Sequence, residues 1–197
     1  MNKRWILALA AAFALGIGAK QFLNSSSESG SGVMAELGLQ GKNDQAVALF
    51  NPQDERIRIV YFGFTHCPDV CPTSLAMLAG ALNQVDQDLA NQFWPVFISL
   101  DPDRDHAAKA HEYAQYFHPA IDGASTSEEK TKALAGQYGV IFRRTELENS
   151  QLEYTVDHSS YFYFLKPDGT LIQKVPHTLT PAPIVQAMTT ITSSSKG

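Results

Sequence analysis

Ile57 to Phe64 is a run of almost unbroken β-branched and aromatic residues. A strand of that composition needs cover on both faces, so it reads as a central strand of a sheet enclosed by helices. Cys67-Pro68-Asp69-Val70-Cys71-Pro72 follows almost at once. Beyond it Leu75, Leu78, Leu82, Val85 and Leu89 recur at helical spacing, which predicts a helix over Thr73–Leu89. Phe93 to Leu100 then reads as a second buried strand. Strand, helix and strand in succession predict a parallel βαβ unit.

The remaining punctuation completes a plan. Ala46–Phe50 is expected to form a short strand, with a turn over Asn51–Asp54. Asp105 is expected to cap a helix running to about Phe117, and Ser127 a helix ending before Gly139. Gly139–Arg143 and Leu152–Val156 read as short strands around an acidic loop. Ser160–Leu165 and Thr170–Val175 flank Lys166-Pro167-Asp168-Gly169, a strong hairpin signal. Thr180–Thr190 closes the chain as a helix, with Pro181 in its first turn. Without the short strands the order is β-α-β-α-α-β-β-α. This α/β order is that of a thioredoxin-like fold, a central mixed sheet flanked by helices. Chemistry in such open sheets gathers at the carboxyl ends of the parallel strands.

The first 23 residues differ from the rest. Lys3 and Arg4 precede an apolar stretch from Trp5 to Ala19, and Lys20 and Gln21 alone interrupt its extension to Leu23. A spanning helix needs about 20 apolar residues, with a lower limit near 17. Residues 1–23 are therefore expected to be a membrane anchor helix, preferred over a cleaved signal at the weak site Gly16-Ile17-Gly18. The basic end should stay cytoplasmic and the remainder be exported. The expected location is a bacterial inner (cytoplasmic) membrane, single-pass, with the domain on the periplasmic side. Residues 24–32 are small and polar and read as a flexible linker, with a reach of about 15–18 Å. Residues 33–197 form the expected domain. The net charge is −5, and the anchor's share of it is positive, so the domain is acidic. That balance lacks the electrostatic footprint of a nucleic-acid binder.

Two cysteines in 197 residues exclude a disulfide scaffold and a four-cysteine metal site. Cys67 and Cys71, four apart at the start of a helix, can put both sulfurs near one ion. A modest closure of the turn would also let them form a disulfide, and a helix N-terminus favours the thiolate. A purely structural disulfide over so short a loop would constrain little of the unfolded chain. Two thiolates are an incomplete site. Among six histidines, His66 adjoins Cys67 but belongs to the strand end. His106, His111, His118 and His177 read as ordinary surface or half-buried residues. His158, just before a buried aromatic strand, sits at a junction that should face the cysteine loop. Two sulfurs and an imidazole suit copper, above all Cu(I). Zinc with a fourth ligand would also be accommodated.

Phe62 to Thr73, Ser99-Leu100-Asp101-Pro102-Asp103-Arg104-Asp105 and Val156-Asp157-His158-Ser159 together resemble the signatures of the Sco/SenC copper proteins. The resemblance runs from about Phe50 to the C-terminus. It implies a thioredoxin-like domain binding one copper ion per chain, as Cu(I) or Cu(II), through Cys67, Cys71 and His158. It also implies a role in assembling the dinuclear copper centre of a respiratory cytochrome c oxidase, with that centre's subunit as partner. The family's usual N-terminal hairpin is not clearly written in residues 33–56. Asp101 ends the second strand on the edge of the cysteine loop. It reads equally as a residue beside the ligands or a partner contact, and as a turn former before Pro102.

Two functions remain open at this level. One is a copper metallochaperone, not an enzyme in the turnover sense. The other is a membrane-anchored thiol-disulfide reductase using Cys67 and Cys71. Three residues between the cysteines, against the usual two of thioredoxin-type reductases, and the presence of His158 favour the first. A thiol peroxidase lacks a clear constellation here.

Overall fold

Strand β1 (Ile57–Gly63) is buried at every position after its first. It lies at the centre of a five-stranded sheet in the order β3-β2-β1-β6-β7. β2 (Phe93–Ser99) and β3 (Asp122–Ala124) run parallel to it on one side. On the other side β6 (Tyr161–Leu165) runs antiparallel to β1, and β7 (Leu171–Pro176) antiparallel to β6. The computed structural model describes residues 37–148 and 150–194. The expected anchor at 1–23, the linker at 24–32 and the first residues of the domain lie outside the described residues. Among those described, no helix is long and apolar enough to cross a membrane.

Helix α1 (Val70–Gln84) follows β1 and buries Cys71, Leu75, Leu78 and Leu82. It stops short of the expected Leu89. Val85 is extended, and the Asp86 side chain accepts a hydrogen bond from the Leu89 backbone at 2.7 Å, starting a separate turn, α2 (Gln87–Ala90). A capping aspartate within an apolar periodicity outweighs the periodicity, because it offers the backbone a local acceptor. α3 (Ala107–Phe117) packs on β2 and β3 and meets α1. α4 (Glu128–Gln137) is capped by Ser127, whose hydroxyl accepts from Lys130 N. α5 (Ala182–Ser194) packs on α1 and β7. This mixed sheet with its flanking helices is the expected thioredoxin-like architecture.

Two more expectations fail for identifiable reasons, and one strand was not foreseen. Ala46–Phe50 is not a strand: Ala46 makes only an isolated bridge to Gln40. The segment is instead organised by Arg58, fully buried, whose guanidinium donates to the carbonyls of Leu49, Asn51, Asp54 and Arg56. Buried carbonyls need donors, and here one β1 side chain supplies them in place of a strand partner. Asp105 is not a helix cap. His106 caps α3, its Nδ1 accepting from Lys109 N at 3.3 Å, while Asp105 turns inward. Strand β3 was not foreseen, because Asp122-Gly123-Ala124 has the composition of a turn.

Gly123 explains how so weak a strand persists. A Cβ at this position would lie 2.1 Å from the Ala110 carbonyl oxygen of α3. Helix backbone therefore rests directly on strand backbone, and neither can yield by a rotamer change. Gly123→Ala is expected to cost about 3 kcal/mol, a fall of roughly 6–12 °C in Tm. Thermal unfolding followed by circular dichroism checks this, and an unchanged Tm would show that α3 and β3 separate freely.

A second, two-stranded sheet pairs β4 (Phe142–Glu146) with β5 (Tyr154–His158), antiparallel. Both strands lie slightly C-terminal to their expected places, so His158 is the last residue of β5.

Candidate metal centre

Cys67 precedes the helix, while Cys71 is its second residue. The two are therefore not on one helical face. Cys67 sits in the loop after β1, its N–H donating to the Phe64 carbonyl at 3.3 Å. The α1 N-terminus has no side-chain cap from Asp69 and no acid in its first turn. The Cys67 sulfur fills that role, accepting from Cys71 N at 3.4 Å. Pro72 next to it carries no N–H to satisfy. A sulfur at a helix N-terminus is stabilised as the anion.

The pair is electrostatically divided. Hydrogen bonding from Cys71 is the largest cause pulling the Cys67 thiol down to about 4. Burial opposes this, and the backbone N–H groups of Cys71 and Asp69 add to it. Cys71 is fully buried and moves the other way, held protonated by its bond to the Cys67 sulfur and by burial. Both cysteines are free. Cys71 also packs against β1: a Cβ on Gly63 would approach its Sγ to 2.9 Å.

His158 arrives from the other sheet. Its Nε2 lies 3.4 Å from Cys71 Sγ, and its ring meets Tyr61 and Phe64 edge-on at centroid distances of 6.4 and 6.0 Å. Nδ1 faces the Ser159 carbonyl at 3.2 Å. A carbonyl only accepts, so Nδ1 carries a proton, and in the neutral ring Nε2 presents its lone pair to the sulfurs. Second partners of this kind fix the tautomer of metal-ligating histidines. One donor atom from each of Cys67, Cys71 and His158 lies within 4.8 Å of the others. Soft sulfurs plus a nitrogen with a free lone pair fit a copper ion.

The other histidines are occupied elsewhere. His66 turns towards Thr65, Asp105 and Lys109. His177 pairs with Ser74 at 2.8 Å, His111 faces Asp122, and His118 Nδ1 accepts from Ala120 N. Asp101, 5% exposed, does not face the sulfurs. It accepts from the Tyr154 hydroxyl at 2.7 Å and from Arg104 Nε at 2.5 Å. Asp105 proves closer to the cysteine loop than sequence reasoning placed it. Its carboxyl accepts from Thr65 N at 2.8 Å, from the Thr65 hydroxyl, and from Ser99 Oγ at 2.8 Å. It thus ties the residues before Cys67 to the end of β2. No spacing rule distinguishes such an inward aspartate from a cap.

Residues 36–193 match the SCO1/SenC family model. The chain belongs to the SCO1/SenC family. It is 43% identical to the mitochondrial SCO1 homolog 1 of Arabidopsis thaliana over 115 residues, 58% of this chain and 34% of that protein. The chain thus spans about a third of that relative's length. Two solved Sco structures, both described with copper bound, superpose on it. Arabidopsis thaliana ScoI has a TM-score of 0.69 at 33% identity, covering 79% of this chain and 95% of that one. Bradyrhizobium japonicum ScoI has a TM-score of 0.66 at 28% identity, covering 77% and 94%. The three donor residues of this Sco chain lie within the region matched by the family model.

Proposed function

We propose that this Sco protein is a copper metallochaperone. It takes one copper ion through Cys67, Cys71 and His158 and passes it to the dinuclear copper centre of a respiratory cytochrome c oxidase during assembly. The observation that carries the reading is the approach of His158 Nε2 to Cys71 Sγ from a separate hairpin. Dithiol exchange alone has no use for a third donor. Copper-bound relatives of the same family support the choice of metal. The copper is cargo: three protein donors hold it, and an acceptor's sulfur or nitrogen replaces them by ligand exchange. Cys67, partly exposed and thiolate at neutral pH, is the donor an acceptor meets first.

The expected anchor at 1–23 and linker at 24–32 would hold the domain near the outer face of a bacterial inner membrane, beside a membrane-bound acceptor. One observation favours a second role at the same site. An accessible thiolate at Cys67 with a buried, protonated Cys71 behind it is also a nucleophile with a resolving thiol. That pair would reduce an acceptor's disulfide before the metal arrives.

A deletion strain grown under copper limitation tests the reading. Oxidase activity and oxidase-bound copper should fall severalfold. Restoration by added copper identifies delivery as the role. Restoration by a thiol reductant but not by copper identifies the dithiol role. Unchanged oxidase copper and activity would reject an assembly function of either kind.

A further inference from the structure

The hairpin that carries His158 shares no ladder with the main sheet. β4 and β5 pair with each other alone, and only Ser159 and Ser160 join β5 to β6. Backbone hydrogen bonding in a sheet therefore does not set where the imidazole stands. Side-chain contacts contribute: the Tyr61 and Phe64 rings meet the imidazole itself, and the segment between Ser99 and Asp105 grips the far end of β5.

Tyr154 is the hub. Its hydroxyl donates to Asp101 Oδ1, and Arg104 Nε donates to Asp101 Oδ2. Arg104 Nη1 donates to the carbonyls of Leu152 and Tyr154, both at 3.0 Å. The Arg104 guanidinium carbon lies 3.5 Å from the centroid of the Tyr154 ring, and that of Arg144 lies 3.4 Å from it. Two guanidinium groups at such distances cannot share one face, so the ring is held between them. Burial and the Asp101 acceptor push the Tyr154 phenol up to about 12, so it remains a donor at physiological pH. Asp101 is 5% exposed and Tyr154 likewise 5%, which keeps the contacts out of competing water.

Strand geometry carries this hold to the metal site. Side chains at i, i+2 and i+4 share one face. Tyr154, Val156 and His158 are such a set, and the first two are buried while Asp157 is exposed. Fixing the Tyr154 face inward fixes the His158 face inward. His158 lies about 13 Å further along the strand, so a small rotation at Tyr154 moves the imidazole relative to the sulfurs. The same 99–105 segment also anchors the cysteine loop, through Asp105 to Thr65.

We propose that Asp101, Arg104 and Tyr154 form a latch that positions His158 against the two cysteines. The segment from Ser99 to Asp105 is then a bracket gripping both halves of the centre, the cysteine loop through Asp105 and the histidine hairpin through Arg104 and Asp101. These are positioning residues and none touches the ligand atoms. The proposal rests on the metal-site reading above for its purpose, and on the side-chain contacts alone for its mechanics.

The test uses the full-length chain in detergent, with Arg104→Gln and Tyr154→Phe. Tyr154→Phe loses only the Asp101 bond and keeps the stacked ring. Arg104→Gln loses the Arg104 face of the stack, the bond to Asp101 and both carbonyl bonds. Cu(II), which needs the imidazole, should bind at least about tenfold more weakly to Arg104→Gln, within the range seen for partners of metal ligands. Its sulfur-to-copper absorption should weaken at a given Cu(II) concentration, in the direction of the complete loss expected for His158→Ala. Cu(I), held by the two sulfurs, should change less than about threefold. Tyr154→Phe should show the same split at smaller size. Equal losses for Cu(I) and Cu(II), or no change in either, would overturn the latch. In the metal-free protein, amides of Thr155 to Asp157 should exchange at least about tenfold faster in Arg104→Gln, with β1 and β6 unchanged. Unchanged exchange in β5, or equal loosening of β1, would also overturn it. A wild-type chain that takes up neither copper ion would instead overturn the metal-site reading, and the exchange result would still decide the latch.

Discussion

Cys67→Ala, Cys71→Ala and His158→Ala should each abolish stoichiometric Cu(II) uptake. The loss should exceed the roughly 10–100-fold that removing an outer partner costs, because each change deletes a donor atom of a three-atom set. Cu(I) should discriminate among them. His158→Ala leaves two soft sulfurs and should retain Cu(I) in weakened form, whereas Cys71→Ala leaves one sulfur and should not. Metal ligands must be deprotonated to bind. The Cys67 thiol is pulled down to about 4, so it is thiolate above that pH and becomes a poor ligand as pH falls through it. Copper titrations monitored by absorption and by metal analysis after gel filtration check these outcomes. A double variant, Cys67→Ala with Cys71→Ala, that still bound one equivalent of copper would place the site elsewhere in the chain.

The parts of this centre differ in how openly the sequence carries them. Cys67 and Cys71 are legible from spacing and from their place between a buried strand and a helix. β1, β2 and the β6–β7 hairpin are legible because apolar runs and the Lys166–Gly169 turn state their own structure locally. His158 is legible only in context, through its place before β6 and the motif around it. What escapes is set by tertiary contact. β3 exists because Gly123 lets α3 rest on it, and nothing in Asp122-Gly123-Ala124 says so. Asp105 has the position and type of a helix cap, yet the Thr65 and Ser99 donors draw it inward and leave capping to His106. Asp101 reads in sequence as either a turn former or a site residue. Only the arrival of Tyr154 from 53 residues away decides what its carboxyl does.

Oxidation and copper should exclude one another. The cysteines are free and their sulfurs lie within 4.8 Å of each other and of His158 Nε2. A disulfide needs the two sulfurs at about 2.05 Å, and each then has no thiolate to offer a metal. Oxidised protein should therefore take up no Cu(I) until a reductant is added, leaving His158 as a lone donor. The asymmetry of the pair makes the competition measurable at one residue. Cys67 is partly exposed and thiolate at pH 6, whereas Cys71 is buried and protonated. Iodoacetamide at pH 6 should thus label Cys67 in the metal-free protein and leave Cys71 intact, as peptide mass mapping would show. Prior loading with Cu(I) should slow that labelling by about tenfold or more, since the same sulfur lone pair is engaged. Equal labelling rates with and without Cu(I) would mean that Cys67 is not a ligand. Labelling of Cys71 in preference to Cys67 would reverse the assignment of which sulfur an incoming acceptor meets first.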